Sequence, residues 1–183
     1  MPKAAASIAA DLSPMCVISD VGSPKRTITD TLQDALPGFE VIPAHPVAGT
    51  ENSGPDAGFS TLFHQRWCII TPPPGAAREK VAQLVDFWES LGAMVETMDA
   101  DHHDRVLAVT SHIPHLIAYT IVGTASDLEQ VTRSEVIKYS AGGFRDFTRI
   151  AASDPTMWRD VFLSNRDAVL EMLDKFSGDL KTS

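Results

Sequence analysis

One histidine stands where a predicted strand gives way to a loop. His45 follows an apolar run, residues 39–44, which predicts a buried strand, and it begins a stretch to Gly58 that is rich in Gly, Pro, Asn, Ser and Asp. The next residue, Pro46, favours an extended backbone at His45, so the imidazole is predicted at the carboxyl end of the strand. Ligands bind at that end in open α/β sheets. Because imidazole titrates near neutral pH, the position suits general acid–base chemistry.

Two other groups of polar residues are candidates for the same site. Upstream, the turn Asp20–Lys25 contains Ser23 and Pro24, which together predict an N-cap and a first helical residue. Downstream, His112 and His115 lie three residues apart and therefore share a helix face. Paired histidines on a helix also bind zinc, but no third ligand stands at a familiar spacing, so we predict no metal site.

A further polar cluster falls at the predicted start of a long helix. It consists of His102, His103 and Asp104. Charged and polar side chains in a first helical turn are mostly solvated, so a solvated turn is favoured over a metal cluster. Lys25 is likewise predicted to be a solvated or structural lysine, with a contact in the active site as the alternative.

The elements that must position these residues alternate between strand and helix in the first half of the chain. Strands are predicted at residues 15–20, 39–44, 67–71 and 93–97, and helices at residues 2–12, 24–36 and 81–91. This order is typical of a largely parallel α/β sheet. No Gly-x-Gly occurs among the 183 residues, so they lack the phosphate-binding fingerprint of a dinucleotide-binding unit.

Strand signals nearly disappear after residue 98. Asp99 and Asp101 can cap a long helix running to about Gly123, and Pro114 should kink it near Thr110. Further helices are predicted at residues 132–139, 144–152, 155–163 and 165–176. We therefore predict two domains, an α/β domain at residues 1–98 and an all-helical domain at residues 99–183.

Composition limits the class of protein and its partners. The chain is 44% apolar and 21% charged, as in ordinary globular proteins, and its net charge of −9 with no basic stripe argues against a nucleic-acid partner. The apolar runs are too short to span a bilayer, and the first residues do not form a signal peptide. Cys16 and Cys68 each lie in a strand-like run, which favours buried, reduced thiols in a cytoplasmic protein.

Several ordered motifs resemble one family. They are Asp20–Lys25, His45–Gly54, Thr110–His115, Ala141–Ala151 and Asp154–Trp158. Together they resemble the prephenate and arogenate dehydrogenases of tyrosine biosynthesis, over residues 7–176. The resemblance implies a partial Rossmann-like α/β domain with a mostly parallel sheet of about four strands, followed by an all-helical dimerisation and substrate domain. Family members begin with a glycine-rich Rossmann half, and the 183 residues resemble the remainder of such a protein.

The resemblance also implies a reaction, its cofactor and its partners. Prephenate would be converted to 4-hydroxyphenylpyruvate, or arogenate to tyrosine, by oxidative decarboxylation that passes hydride to NAD or NADP. The protein would be a cytoplasmic homodimer, paired through its helical domain, that acts on a small molecule. Because the glycine fingerprint is absent, we expect these residues alone to bind the cofactor weakly.

The family match assigns roles to individual residues. His45 would accept the proton of the substrate hydroxyl, and Ser23 would orient His45 or touch the nicotinamide beside Gly22, where the backbone can approach the cofactor closely. The substrate-binding candidates are His115 as a donor, Arg149 for a carboxylate, His112 as a neighbour or structural group, and Ser53 on the rim. We expect His45, Ser23, His115 and Arg149 to converge in one cleft between the two domains.

Two alternatives remain open at this point. The chain could be a truncated, non-catalytic remnant that acts as a dimerising module. It could also be another Rossmann dehydrogenase with a helical dimer domain, such as the 3-hydroxyacid type. Those enzymes commonly rely on a helix lysine, and the His-Pro-x-Ala-Gly-Thr loop at His45 does not suit them.

Overall fold

The structure is a computed structural model that describes residues 2–49, 54–132, 138–139 and 141–182. The chain divides into two compact units. The first contains Met1–Thr50 and Gly54–Val106, and the second contains Leu107–Ser183. The predicted helix at residues 132–139 falls largely outside the described residues.

The first unit contains five short strands and four α-helices among its described residues. The strands are β1 (Val17–Ile18), β2 (Glu40–Val41), β3 (Ala44–Pro46), β4 (Trp67–Ile70) and β5 (Met94–Thr97). The helices are α1 (Pro2–Ile8), α2 (Arg26–Ala35), α3 (Arg78–Ser90) and α4 (Ala100–Leu107), with short 3-10 turns at Ala9–Asp11 and Pro55–Ala57. The predictions of β4, β5 and the three earlier helices are confirmed.

The strands form two small sheets rather than one largely parallel sheet. β1 and β2 pair in parallel, and so do β4 and β5, but β3 pairs antiparallel with β4, with His45 opposite Ile69. The single strand predicted at residues 39–44 is therefore wrong. Pro43 explains the change of partner, because it has no N–H to continue the ladder. Ile42 N–H still donates to Ile18 O, whereas Pro43 O accepts from Thr71 N–H.

His45 consequently lies inside a strand and not at the head of a loop. It is the middle residue of β3, and the antiparallel pairing continues beyond the strand, where Val47 N–H donates to Trp67 O at 2.8 Å. Strand pairing therefore holds the backbone before and after His45. The Cα atom that carries the imidazole is fixed more firmly than it would be in a loop.

The core of the first unit lies between the strands and the helices. One buried cluster joins β3 and β4 to α3, and comprises Ile42, Ala44, Cys68, Ile70, Leu84, Trp88 and Ala93. A second cluster joins α1, α2 and β2, and comprises Ala5, Leu32, Leu36 and Val41. The helical spacing of Leu84 and Trp88 predicted the face that α3 buries, and Gly92, at φ +82°, ends that helix in the left-handed conformation.

Both cysteines are free thiols. Cys68 is fully buried in β4, and burial raises the pKa of its thiol to about 12. The thiol therefore stays protonated and unreactive at neutral pH. Cys16 is half-buried, just before β1.

Every regular element among the described residues of the second unit is a helix. The elements are a π-helical turn (Ala108–His112), α5 (Ile113–Thr132), α6 (Gly142–Thr148), a 3-10 turn (Arg149–Ala152), α7 (Pro155–Ser164) and α8 (Arg166–Thr182). The irregularity that Pro114 was predicted to cause is a π-helical turn just before it. Proline cannot donate to the carbonyl four residues earlier, and a widened turn accommodates that loss.

The continuous helical stretch from α4 through the π-helical turn into α5 is long and apolar enough to cross a membrane, by length and composition only. It runs over Ala100–Leu128, and 28% of its most apolar 18-residue window is buried. This corrects the expectation that no apolar segment is long enough. Core helices of soluble proteins share this length and composition, so these two properties alone do not distinguish a membrane span.

The buried position of Ile70 gives a test of this core. Ile70 is fully buried in β4, whereas Ile8 in α1 is 49% exposed. We expect Ile70→Ala to lower the free energy of unfolding by about 2–5 kcal/mol, because it removes buried methyl groups and leaves a cavity. Urea denaturation followed by circular dichroism measures the change.

Ile8→Ala is the matched control in the same unit, with an expected effect much smaller than that of Ile70→Ala. Equal effects of the two substitutions would contradict the assigned core.

Candidate active site

A buried lysine and aspartate join three elements of the first unit. Lys25 Nζ donates to Asp20 Oδ1 at 2.7 Å, to Asp20 Oδ2 at 2.6 Å and to Ala44 O at 2.7 Å. Lys25 is fully buried and Asp20 is 6% exposed. Asp20 also accepts from Gly22 N–H at 2.7 Å and from Ala44 N–H at 3.3 Å. Both backbone polar groups of Ala44, the residue before His45, are therefore held by this pair.

The prediction that Lys25 is solvated is wrong, and the structural alternative is confirmed. Burial lowers the pKa of the Lys25 ammonium, and the neighbouring Asp20 carboxylate opposes that change. All three ammonium protons have acceptors, which is what allows a charged lysine to be buried. Lys25 thus orders the backbone that carries His45.

The imidazole of His45 contacts a second histidine. His45 is 8% exposed, and its Nδ1 lies 2.9 Å from Nε2 of His103, with the two rings edge to face. His103, on α4, is fully buried, and its Nδ1 lies 2.8 Å from Asp104 Oδ1. Three side chains are therefore connected in the order Asp104, His103, His45.

Asp104 is anchored to the beginning of α2. Its Oδ1 accepts from Lys25 N–H at 2.8 Å, and its Oδ2 accepts from Arg26 N–H at 3.0 Å. Burial by itself raises the pKa of this carboxyl, but the hydrogen bonds from His103 and from the two backbone N–H groups lower it overall. Asp104 is therefore ionised at neutral pH, at a helix N-terminus that favours negative charge.

This geometry corrects two sequence-based predictions. The cluster His102–Asp104 was expected to be solvated, but only His102 is exposed, whereas His103 and Asp104 are buried. Ser23 was expected to cap α2, but the helix begins at Arg26 with Lys25 as its N-cap residue, and the Asp104 carboxylate binds the first N–H groups. The sequence does contain a sign of this burial, because helical spacing places His103 and Asp104 on the same face as the apolar Leu107 and Ala108.

Ser23 and Gly22 lie in the turn between β1 and α2. Both are half-buried. The Gly22 N–H is engaged by Asp20 Oδ2, so it stabilises the turn. Their proposed contact with a cofactor stays a prediction.

In the second unit, His112 and His115 have different surroundings. His112 is fully buried, and its Nδ1 lies 3.1 Å from Asn165 Nδ2, which favours the structural role among the two left open. His115 is half-buried and stacks on Trp158, with ring centroids 3.6 Å apart, while its Nδ1 donates to Ser111 O at 2.8 Å. Burial lowers the pKa of His115, so the neutral ring presents Nε2 as an acceptor.

Arg149 begins the 3-10 turn after α6 and is exposed. Its guanidinium forms no ion pair with any other described residue. The Asp154 carboxylate instead accepts from Thr156 N–H and Met157 N–H at the start of α7. Ser53 lies outside the described residues. Among those residues no group of three or more His, Cys, Asp or Glu is arranged to hold a metal.

Two family models account for nearly the whole chain. The model described as "Prephenate dehydrogenase, nucleotide-binding domain" matches residues 1–97, and "Prephenate dehydrogenase, dimerization domain" matches residues 99–182. The chain belongs to the prephenate dehydrogenase family.

Curated relatives support this membership. A cyclohexadienyl dehydrogenase of Zymomonas mobilis is 48% identical over 177 residues, which are 97% of this chain and 60% of the relative. A prephenate dehydrogenase of Bacillus subtilis is 37% identical over 161 residues, which are 87% of this chain and 43% of the relative. The chain thus spans about half the length of these relatives.

Solved structures of the family share the fold. Prephenate dehydrogenase from Aquifex aeolicus, in complex with hydroxyphenyl propionate and NAD+, superposes with a TM-score of 0.91 at 35% identity, covering 99% of this chain and 63% of that one. Arogenate dehydrogenase from Synechocystis has a TM-score of 0.81 at 25% identity, covering 98% of this chain and 64% of that one. This chain therefore has the partial Rossmann-like domain and the helical domain. Its strands form one parallel pair and one mixed sheet instead of a mostly parallel sheet.

The buried ion pair gives a test of the site's framework. We expect Lys25→Met to lower the free energy of unfolding by about 3–5 kcal/mol, because it leaves the Asp20 carboxylate buried without its partner. Chemical denaturation measures the loss.

The neighbouring Arg26→Met is the matched control. Arg26 is exposed and pairs with Asp101 at the surface, so its replacement should leave the stability close to that of the wild type. A loss for Lys25→Met no larger than for Arg26→Met would refute the structural role of the buried pair.

Proposed function

We propose that this chain supplies the proton acceptor and the substrate-binding groups of a cytoplasmic prephenate or arogenate dehydrogenase of tyrosine biosynthesis. The observation that carries the proposal is the imidazole of His45, held by His103 and Asp104 in a chain of this family. General acid–base catalysis needs such a group in a fixed orientation.

The proposed reaction is an oxidative decarboxylation of a cyclohexadienol. His45 accepts the proton of the ring hydroxyl while hydride leaves the same carbon, and the ring carboxylate departs as carbon dioxide. Formation of the aromatic ring drives the loss of the carboxylate, and the ring oxygen takes back the proton from His45 as the phenol forms. NAD or NADP, when bound, takes the hydride. The products are 4-hydroxyphenylpyruvate from prephenate, or tyrosine from arogenate.

The residues of this chain fit only part of that cofactor. Ser23 and Gly22 are candidates for the nicotinamide end. The pyrophosphate does not fit at the start of α2, because the Asp104 carboxylate already binds the N–H groups of Lys25 and Arg26. No Gly-x-Gly cradle occurs among the 183 residues. Weak binding of the cofactor by these residues alone therefore remains part of the proposal.

Substrate recognition is proposed for the second unit. The Arg149 guanidinium suits a carboxylate because it offers two parallel donors. Neutral His115 presents an acceptor and therefore suits a hydroxyl or ammonium of the substrate better than a carboxylate. His112 would support the fold beside it through Asn165.

We also propose that the second unit forms a homodimer. Its family model is described as a dimerization domain. Large apolar side chains are exposed on α5, α7 and α8, namely Ile121, Val122, Leu128, Met157, Leu163, Leu170, Phe176 and Leu180. Apolar exposure on this scale is typical of surfaces that pair with another chain, and it accounts for the long apolar helix as well as a membrane would.

The function is tested by assaying the protein expressed from its complete gene. Prephenate and arogenate are each supplied with NAD or NADP, and reduced cofactor is followed at 340 nm while the aromatic product is identified by mass spectrometry. Equal amounts of reduced cofactor and product support the proposal. A stable dimer without turnover of either substrate would refute it and favour the non-catalytic dimerising module.

His45 is expected to dominate the rate. Replacing it as His45→Gln removes the proton acceptor and should lower kcat by about 10²–10⁴-fold. His64→Gln is the matched control, because His64 is an exposed histidine of the same unit. Retention of wild-type kcat by His45→Gln would rule out the assigned base.

Arg149 is expected to act mainly on substrate affinity. Arg149→Lys keeps the charge but loses the two-pronged geometry, so KM for the substrate should rise by about 10–100-fold. Arg145→Lys, an exposed arginine on α6, serves as the control and should leave KM unchanged. Initial-rate kinetics measure both, and equal KM values for the two variants would exclude the assignment.

A further inference from the structure

We propose that His103 and Asp104 are positioning residues that hold His45 in one tautomer, with its proton on Nδ1 and its lone pair on Nε2. The inference rests on the proposed function, since a lone pair on Nε2 is what a proton acceptor offers to a substrate. It assigns a role to two residues that the sequence had placed in a solvated turn.

The Asp104 carboxylate determines which nitrogen donates in each hydrogen bond. Both of its carboxylate oxygens accept backbone N–H groups, Oδ1 from Lys25 and Oδ2 from Arg26. An ionised carboxylate has no proton to give. His103 Nδ1, 2.8 Å from Oδ1, must therefore carry a proton and donate it.

The protons of His103 and His45 then each have one possible position. A neutral His103 with its proton on Nδ1 has a lone pair on Nε2, which can only accept. The 2.9 Å contact between His103 Nε2 and His45 Nδ1 holds one proton, so His45 Nδ1 must donate it. A neutral His45 then has its lone pair on Nε2.

The alternative places a second proton on His103. It would then donate to His45 Nδ1, and the proton of neutral His45 would lie on Nε2, where it could not accept another. We propose the first arrangement, because the Asp104 charge that would stabilise a second proton on His103 is already shared with the backbone N–H groups of Lys25 and Arg26. The position of the proton on His45 distinguishes the two arrangements.

The contacts also provide a route for the charge of a proton taken up at His45 Nε2. Among the described residues, the charged groups that these contacts connect are the Lys25 ammonium and the carboxylates of Asp20 and Asp104. The positive charge can be shared along the contact to His103, towards Asp104, as the N–H bond at His45 Nδ1 lengthens and one at His103 Nε2 forms.

Nuclear magnetic resonance of the 183-residue chain tests the tautomer directly. Long-range correlations between ring protons and ring nitrogens distinguish a protonated from an unprotonated nitrogen, and the His45 signals are assigned by their loss in His45→Gln. At pH 7.5 we expect His45 to be protonated at Nδ1 and unprotonated at Nε2. A proton on His45 Nε2 would overturn the proposal.

Variants of His103 separate tautomer control from general support of the fold. His103→Leu removes the acceptor, so the Nδ1 proton of His45 should no longer be favoured, and kcat should fall at least tenfold with KM within about twofold. His103→Gln retains an amide oxygen as an acceptor and should restore much of the Nδ1 preference of His45 and much of kcat. His102→Gln, the exposed neighbour, should change neither.

The outcomes distinguish this inference from the proposed function. If the protein turns over neither substrate, the tautomer measurement still decides whether His103 and Asp104 act as proposed. If turnover occurs while His103→Leu leaves the His45 tautomer and kcat unchanged, the function stands and this inference fails. Should His103→Leu not fold, the wild-type spectrum and His103→Gln decide.

Discussion

The pairing of the Lys25 ammonium with the Asp20 carboxylate is the interaction on which the candidate site depends. Isolated charges in a protein interior are costly, and the pair is tolerated because every ammonium proton has an acceptor. Through Ala44 it connects the end of β1 to β3, two strands that belong to different sheets. The backbone that carries His45 is therefore fixed by electrostatics as well as by strand pairing.

Asp104 serves the fold and the site with one carboxylate. It satisfies the first N–H groups of α2, which would otherwise lack partners, and it also receives the hydrogen bond from His103. Substitution of Asp104 would therefore remove both the cap of α2 and the hydrogen bond with His103. Through His103, this carboxylate also fixes the orientation of the His45 ring relative to α2.

Local pattern predicted most elements, because their signals lie within a few residues. The apolar runs at β4 and β5 and the helical spacing of Leu84 and Trp88 were sufficient for those elements. The division of residues 39–44 into two strands was missed although Pro43 marks it, since a run of apolar residues outweighed one missing donor.

The site was harder to predict than the fold. His45 was singled out from its sequence context, but the burial of His103, Asp104 and Lys25 depends on partners far away in the chain, for which a single sequence carries no local sign. The catalytic and binding roles of His45, Ser23, His115 and Arg149 stay predictions, because they concern contacts with ligands.

The distance along the chain between Lys25 and Asp104 has a consequence for biosynthesis. The two residues are separated by 79 positions, so at ordinary translation speeds about 4–16 s pass between their syntheses. During that interval the Asp104 carboxylate that caps α2 has not yet been synthesised. The contact between His45 and His103 can form only after α4 has been synthesised. Closure of the long loop between Lys25 and Asp104 is therefore a late step in folding of the first unit.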